Sequence, residues 1–262
     1  MNRRRKDKSA PANPKDLTFV IPEDLSHLVL HDTGNNDKSR VLVLGHTDFY
    51  PVLEQALLFG DGTFECVPHI FFQLYTIHSR VGNSYPPCIY FLLPDKKRTT
   101  YDRMVGILKQ LVPACNPERF LLDFEIAVHG AVSEGFPDCT ISGCFFHLSQ
   151  AVLRKVQSLG LKKQYESDKE LNVLVRCLPA LSFVPKEDVV QVFIALSQKF
   201  LSLEEVAEKC ESLLAYFEET YIQVKMGRRG QTKKPPRFPI DVWNHFDSVQ
   251  QDLPKTTNCT GQ

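Results

Sequence analysis

Two aspartates close apolar, strand-like runs. Asp61 follows Leu57–Gly60 in LLFGDGTFECVPHIFFQLYTI, and Asp123 follows Phe120–Leu122 in RFLLDFE. A carboxylate where a buried strand reaches solvent is a hard oxygen ligand, suited to magnesium or a similar divalent cation. Two such strand ends, side by side, are the beginning of a metal site. Glu125 stands two residues past Asp123. It either supports that site from behind or places negative charge at a helix N-terminus.

The elements that must position these acids can be read from hydrophobic period. Arg40–Gly45 is a short β-branched strand, and Asp48 is placed to cap a short helix running to Gln55. Leu57–Gly60, with a Gly-containing corner before Phe64–Val67, then Phe71–Arg80 and Pro87–Leu93 have the spacing of an antiparallel meander. The period then changes. Tyr101, Val105, Leu108 and Leu111 mark an amphipathic helix over Thr99–Leu111, with Thr99 or Thr100 as its cap. Phe120–Leu122 is a buried strand, Glu125–Ser133 a helix, Thr140–Phe146 another strand, and a helix runs from His147 through Val156.

Three antiparallel strands, helix, strand, helix, strand, helix is the ribonuclease-H-like order. In that order the first and fourth strands are neighbours, which would bring Asp61 and Asp123 together. From Ala151 to Tyr221 the pattern is almost wholly helical: Leu171–Leu178, Glu187–Lys199 and Leu203–Tyr221, the last with Ser202 and Glu205 as a capping box. The expected fold class is therefore α/β, a ribonuclease-H-like mixed sheet core interrupted by an all-helical insertion. The expected division is a basic tail and N-terminal extension (1–39), the core (40–156), the insertion (157–225), and a basic linker with the closing part of the core (226–262).

Composition bounds the rest. Of 262 residues, 43% are hydrophobic and 24% charged, with a formal net charge of zero, so any binding to nucleic acid must come from local patches. The eight cysteines are scattered, and no secretory apolar region follows Met1, so free thiols in a reducing compartment are expected. No apolar run approaches the roughly 20 residues that span a bilayer, so no membrane is expected as a partner. The RRRK cluster near the N-terminus is either a nuclear-import or phosphate-contacting patch or a plain solvated tail, which makes the nucleus, otherwise the cytoplasm, the expected location.

Several motifs in fixed order carry a resemblance. FGDGTFECVPHIFFQLYTIH, Tyr90–Leu93, LLDFEIAVHGAV, GCFFHLSQAVLRKV and the later FEETYI and FPIDVWNHF resemble the Mutator-like element (MULE) transposase domain over roughly Arg40 to Asn258. The resemblance implies a DDE-type site with Asp61 as first acid, Asp123 as second, and a Glu after the insertion as third. It implies magnesium or manganese as cofactor, transposon-end DNA as partner, and possible homo-oligomers. In such sites two cations about 3.5–4 Å apart activate the attacking oxygen and stabilise the leaving one.

The family's Glu follows a Thr-Asn-Asn step by a few residues. Here Thr257 and Asn258 lead to Cys259, Thr260, Gly261 and Gln262, so the acid is expected at or just beyond Gln262, where an amide stands. The third acid stays unassigned; Glu218, Glu219, Asp241 and Asp247 are candidate substitutes, though each reads better as a solvated helix- or loop-face acid. Cys144 and His147 match the family's Cys-x-x-His. With Cys139 they raise the question of zinc, but a structural zinc takes four ligands and no fourth is nearby, so no structural zinc is expected. Cys144 is then a core thiol, and His147 a side chain poised near the acids, toward DNA phosphate. A zinc-binding DNA-reading module, frequent in such proteins, finds no paired Cys/His spacing here. The expectation is a transposase-derived protein made catalytically incomplete by the missing acid. An active Mg-dependent DDE transposase or nuclease is the first alternative, and a helical interaction scaffold of transposon origin the second.

Overall fold

Short runs in which apolar side chains alternate, or in which β-branched residues are continuous, become strands here, and runs with three- and four-residue spacing become helices. The computed structural model describes residues 13–64, 67–82, 84–222 and 235–256. In order they form β1 (Val29–Asp32), β2 (Leu42–Gly45), the short α1 (Tyr50–Leu53), β3 (Leu57–Thr63), β4 (Gln73–Ser79), β5 (Pro87–Leu93), α2 (Arg98–Leu111), β6 (Arg119–Leu122), α3 (Ile126–Gly135) and β7 (Thr140–Gly143). Helices follow: α4 (Phe145–Ser158), α5 (Lys162–Ser167), α6 (Lys169–Ala180), α7 (Val189–Leu201), α8 (Ala207–Phe217), α9 (Ile240–Trp243) and α10 (Phe246–Gln250).

The strands make one mixed sheet of seven, in the order β1-β2-β5-β4-β3-β6-β7. The expected meander is present, since β3, β4 and β5 pair antiparallel in sequence. β6 pairs parallel with β3, and β7 parallel with β6, with α2 and α3 as the intervening crossovers. The first and fourth strands of the sequence reading are thus neighbours. Two more strands extend the sheet on the far side of β5. β2 pairs antiparallel with β5, and β1, inside the stretch read as an N-terminal extension, pairs with β2. Arg40, almost fully buried, fixes that edge: its guanidinium pairs with Asp32 and donates to the carbonyls of Leu17 and Phe19 at 2.6 and 2.9 Å.

Three apolar clusters hold the elements. The largest sets Val43, Leu58, Tyr75, Ile77, Ile89 and Phe91 of the sheet against Tyr101, Met104 and Leu108 of α2 and Val128 and Val132 of α3. A second belongs to the helices, with Leu148, Val152, Leu174, Phe193, Phe200, Leu213 and Phe217 packed around Trp243. The third is small and lies where Phe19 and Ile21 cover Leu42, Phe71 and Leu92. Among the described residues no helix is long and apolar enough to cross a membrane.

Several local expectations are corrected. β3 does not stop at Gly60; it continues through Asp61 and Gly62 to Thr63 because β4 keeps pairing with it to the Thr63–Leu74 level. Asp61 therefore lies within the strand, and Phe64–Val67 is not a separate strand in its described part. Asp48 caps nothing: its own N–H is taken by the His46 ring at 3.3 Å. Neither Thr99 nor Thr100 caps α2, and the Thr100 hydroxyl instead donates to Asp95 at 2.5 Å. Ser202 closes α7 by donating to the Lys199 carbonyl at 2.8 Å and does not open the next helix. Asp168, unremarked in the sequence, is the side chain that caps α6, accepting from Glu170 and Leu171. The basic N-terminal cluster, most of the linker after Met226, and Thr257–Gln262 lie outside the described residues, as do Cys66 and Cys259.

Candidate functional site

Pairing between β3 and β6 sets the site. Leu57 lies opposite Arg119, Leu58 opposite Phe120 and Phe59 opposite Leu121. Continuing that register brings Asp61 level with Asp123, on strands about 4.8 Å apart. Side chains alternate along β3, so Gly60 and Gly62 share the face of Tyr75 and Gln73, while Asp61 faces the opposite side. There it meets α4: His147 Nε2 stands 3.7 Å from Asp61 Oδ1.

The glycines on either side of Asp61 are required by what lies beneath. A Cβ on Gly60 would run into the Tyr75 hydroxyl and into Leu122, and one on Gly62 into Gln73 Oε1. Tyr75 is fully buried with its ring edge-on to Tyr101 at 5.7 Å. Gln73 Nε2 donates to the Tyr101 hydroxyl at 2.8 Å. A rigid polar floor thus underlies the acids.

Electrostatics mark Asp123 as the centre. Burial first, and then the nearby Glu125 and Asp61 charges, push its carboxyl up to about 6 against the pull of His147 and Lys96. Its Oδ1 is buried without a hydrogen-bond partner. Its backbone carbonyl accepts from His129 Nε2 at 2.6 Å, which leaves the side chain free to point elsewhere. Glu125, at the N-cap position of α3 but making no cap hydrogen bond, is also raised by burial, opposed by Lys96 and by a hydrogen bond from Tyr101. For His147 burial works against the charged ring, but hydrogen bonding to Cys144 and the charges of Asp61 and Asp123 outweigh it, so its pKa is raised.

Phe124, between the two acids in sequence, points away from them. Its ring lies on Gly143, where any Cβ would clash, and meets Tyr221 and Phe238 edge-on at 5.5 and 5.1 Å. One residue of the acidic loop is thereby anchored in the helical layer. Two clefts open beside it. A wide one of about 690 Å³ is lined by Phe64, Lys96, Arg98, Asp123, Glu125 and Arg154 among others. A smaller one of about 230 Å³ reaches Asp123 and His147 between α4, Tyr216 and Phe238. Arg154 and Arg237 border both.

The donor set can be tested against a metal. Asp61 and Asp123 offer only oxygen, and the orphaned Asp123 Oδ1 is a buried acceptor in need of a cation or donor. Magnesium is commonly held by one or two carboxylates, with waters and substrate phosphate completing its shell, so the pair fits that ion. Among the described residues no group of three or more His, Cys, Asp or Glu side chains is placed to hold a metal. The substitutes for a third acid do not join the pair. Asp241 is bound to Lys186 at 2.9 Å, Asp247 is exposed, and neither Glu218 nor Glu219 lines either cleft. Cys139 and Cys144 precede and follow β7, about 16 Å apart along an extended strand, so they cannot share one ion. Cys144 is buried, with Sγ 3.5 Å from the Thr256 hydroxyl.

Asp61, Asp123 and His147 thus lie together at one rim of the sheet. The sequence reading missed the cations Lys96, Arg98, Arg154 and Arg237, and the Gln73–Tyr75–Tyr101 floor. The Lys96-Lys97-Arg98 run, separated from β5 by two residues, is a usable signal for the first two; nothing in the sequence links Arg154 and Arg237 to the same cleft.

Residues 57–151 match the model of the MULE transposase domain, a span that holds both aspartates, Glu125, Cys144 and His147. No curated protein matches the chain.

Proposed function

We propose that this chain is a MULE-transposase-derived protein that binds DNA through the cleft beside Asp61 and Asp123 and is catalytically incomplete. In this reading the β3-β4-β5 meander, with β6, β7 and their helices, is a ribonuclease-H-like core. β1 and β2 are additions to its edge, and α5 to α8 are an insertion before the closing segment. The observation that carries the reading is the parallel β3–β6 register, with Phe59 opposite Leu121, which continued by two residues brings Asp61 level with Asp123. Asp61 and Asp123 are the metal ligands in this reading. A bound magnesium or manganese supplies a Lewis acid for phosphodiester oxygens. The chain's own residues do the rest. His147 offsets the paired negative charge from the α4 side, Glu125 adds to the field from behind, and the buried tyrosines exclude water from below. Incompleteness is supported by the finding that, among the described residues, no three His, Cys, Asp or Glu side chains are grouped so as to hold a metal.

The test is a calorimetric titration of magnesium and manganese into the purified chain, followed by a cleavage assay on duplex DNA. Weak binding, lost in Asp61→Ala and Asp123→Ala, with no cleavage by the wild type, is the expected result. Metal-dependent cutting that either substitution abolishes would overturn incompleteness and make the chain an active nuclease.

A further inference from the structure

The rim of the sheet beside the acids carries a feature that metal binding does not use. Phe64 follows β3 directly and Phe72 precedes β4, and the two rings are 48% and 45% exposed. They meet edge to face, with centroids 5.5 Å apart. Their exposure is not that of a loose loop, since Phe72 N–H donates to the Leu93 carbonyl at 2.8 Å and holds one ring to the end of the ladder. Lys96, from the turn after β5, extends its ammonium to 5.2 Å from the Phe64 centroid and 5.6 Å from that of Phe72. Phe64 and Lys96 line the same wide cleft as Asp123 and Glu125, with Arg98, Arg154 and Arg237 further round it.

We propose that Phe64, Phe72 and Lys96 form a stacking platform that holds an unpaired base of a DNA strand next to the acid pair. The proposal rests on the DNA-binding reading above and adds which form of DNA the cleft prefers. The argument is one of complementary chemistry. An unpaired nucleotide combines a flat π-face with an anionic linkage, and the rim combines two open aromatic rings with a line of cations. An apolar protein segment would satisfy the rings and strand the cations; an acidic one would do the reverse. Bases inside a duplex have their faces covered by their neighbours, so only a frayed, flipped or single-stranded base can use the rings. Lys96 links the two halves, because an ammonium over an aromatic face can exchange that contact for a phosphate oxygen and leave the face to a base.

The experiment compares full-length wild type with Phe64→Ala, Phe72→Ala, Phe64→Trp and Lys96→Ala in chelator, so that catalysis plays no part. Binding is followed by fluorescence anisotropy on a blunt duplex and on the same duplex with a short unpaired tail containing 2-aminopurine. Both phenylalanines are half exposed, and thermal melts of each variant check that it is folded. The tail is expected to strengthen wild-type binding and to show quenched 2-aminopurine. Each Phe→Ala change should remove about ten-fold of tail affinity and restore fluorescence while leaving the blunt duplex unchanged. Phe64→Trp should keep the quenching. Lys96→Ala should weaken both DNAs and lower the salt slope by about one. If wild type binds blunt and tailed duplexes equally, or the Phe→Ala variants lose both alike, the platform is overturned and the DNA-binding reading stands. If wild type binds neither DNA, and a partner protein is captured at the Phe64 face instead, the DNA-binding reading falls and the platform with it.

Discussion

Burial makes Asp123 costly to the folded protein. Its folded pKa, raised to about 6, lies above the ordinary value near 4, so its penalty is absent at low pH, builds as pH rises between those values, and is complete above 6. Asp123→Asn should therefore stabilise the metal-free protein at pH 7.5 by up to about 3 kcal/mol and change little at pH 4. Added magnesium should raise the wild-type melting temperature and leave that of the variant where it is. His245 works with the opposite sign. Burial holds its imidazole down to about 4, so it favours the folded state fully above pH 6.5 and loses that contribution as pH falls toward 4. The two slopes oppose each other over nearly the same range. His245→Gln should expose the gain from protonating Asp123, and Asp123→Asn the loss from charging His245. Melting curves from pH 4 to 7 on the three proteins check both. If both variants show the wild-type slope, neither group controls it.

Among the elements, β3 carries the heaviest constraints. Gly60→Ala drives a methyl against the fixed Tyr75 hydroxyl and Leu122, which should cost about 1–3 kcal/mol in denaturant unfolding and lower metal affinity through displacement of Asp61. Gly143→Ala meets the Phe124 ring and should give a similar loss, felt instead by the helical layer that Phe124 enters. Much of this arrangement was legible in the sequence. Pro87–Leu93 has the bounds expected for it, and α2 begins one residue from where periodicity put it, because burial on one face dictates which residues repeat. What escaped reading was set by partners distant in sequence. Nothing in LLFGDGT announces that β4 will hold the strand together past Asp61. The helix ends differ from expectation for a related reason: the Thr100 and Ser202 hydroxyls donate to Asp95 and to the Lys199 carbonyl instead of accepting from a helix N–H. Pro179, which follows the expected helix Leu171–Leu178 directly, lies inside α6, where its ring is packed away from solvent. At the site the acids could be named and their cations could not, since Lys96 and Arg154 belong to separate elements that only the folded chain brings to one cleft.

For the molecule as a whole, a net charge of zero means that the DNA binding proposed above must rest on local cationic patches, of which that cleft is one. Replacing Arg154 and Arg237 together by Ala should weaken duplex binding and reduce the slope of log K against log salt by about two, as measured by anisotropy across a salt series. An unchanged slope would move the DNA to another face. The sheet and the helices bury their apolar side chains in largely separate clusters, bridged near the site by Phe124. Whether two such clusters unfold as one is a question of cooperativity, and the chain contains its own reporter. Trp243 is its single tryptophan, fully buried in the helical cluster, with the indole N–H donating to the Tyr221 carbonyl at 2.9 Å. Fluorescence excited selectively at the indole therefore follows the helical layer, while the far-ultraviolet signal averages over sheet and helices. Coincident denaturation midpoints would mean that the helical layer cannot loosen without releasing the strands that align Asp61 and Asp123.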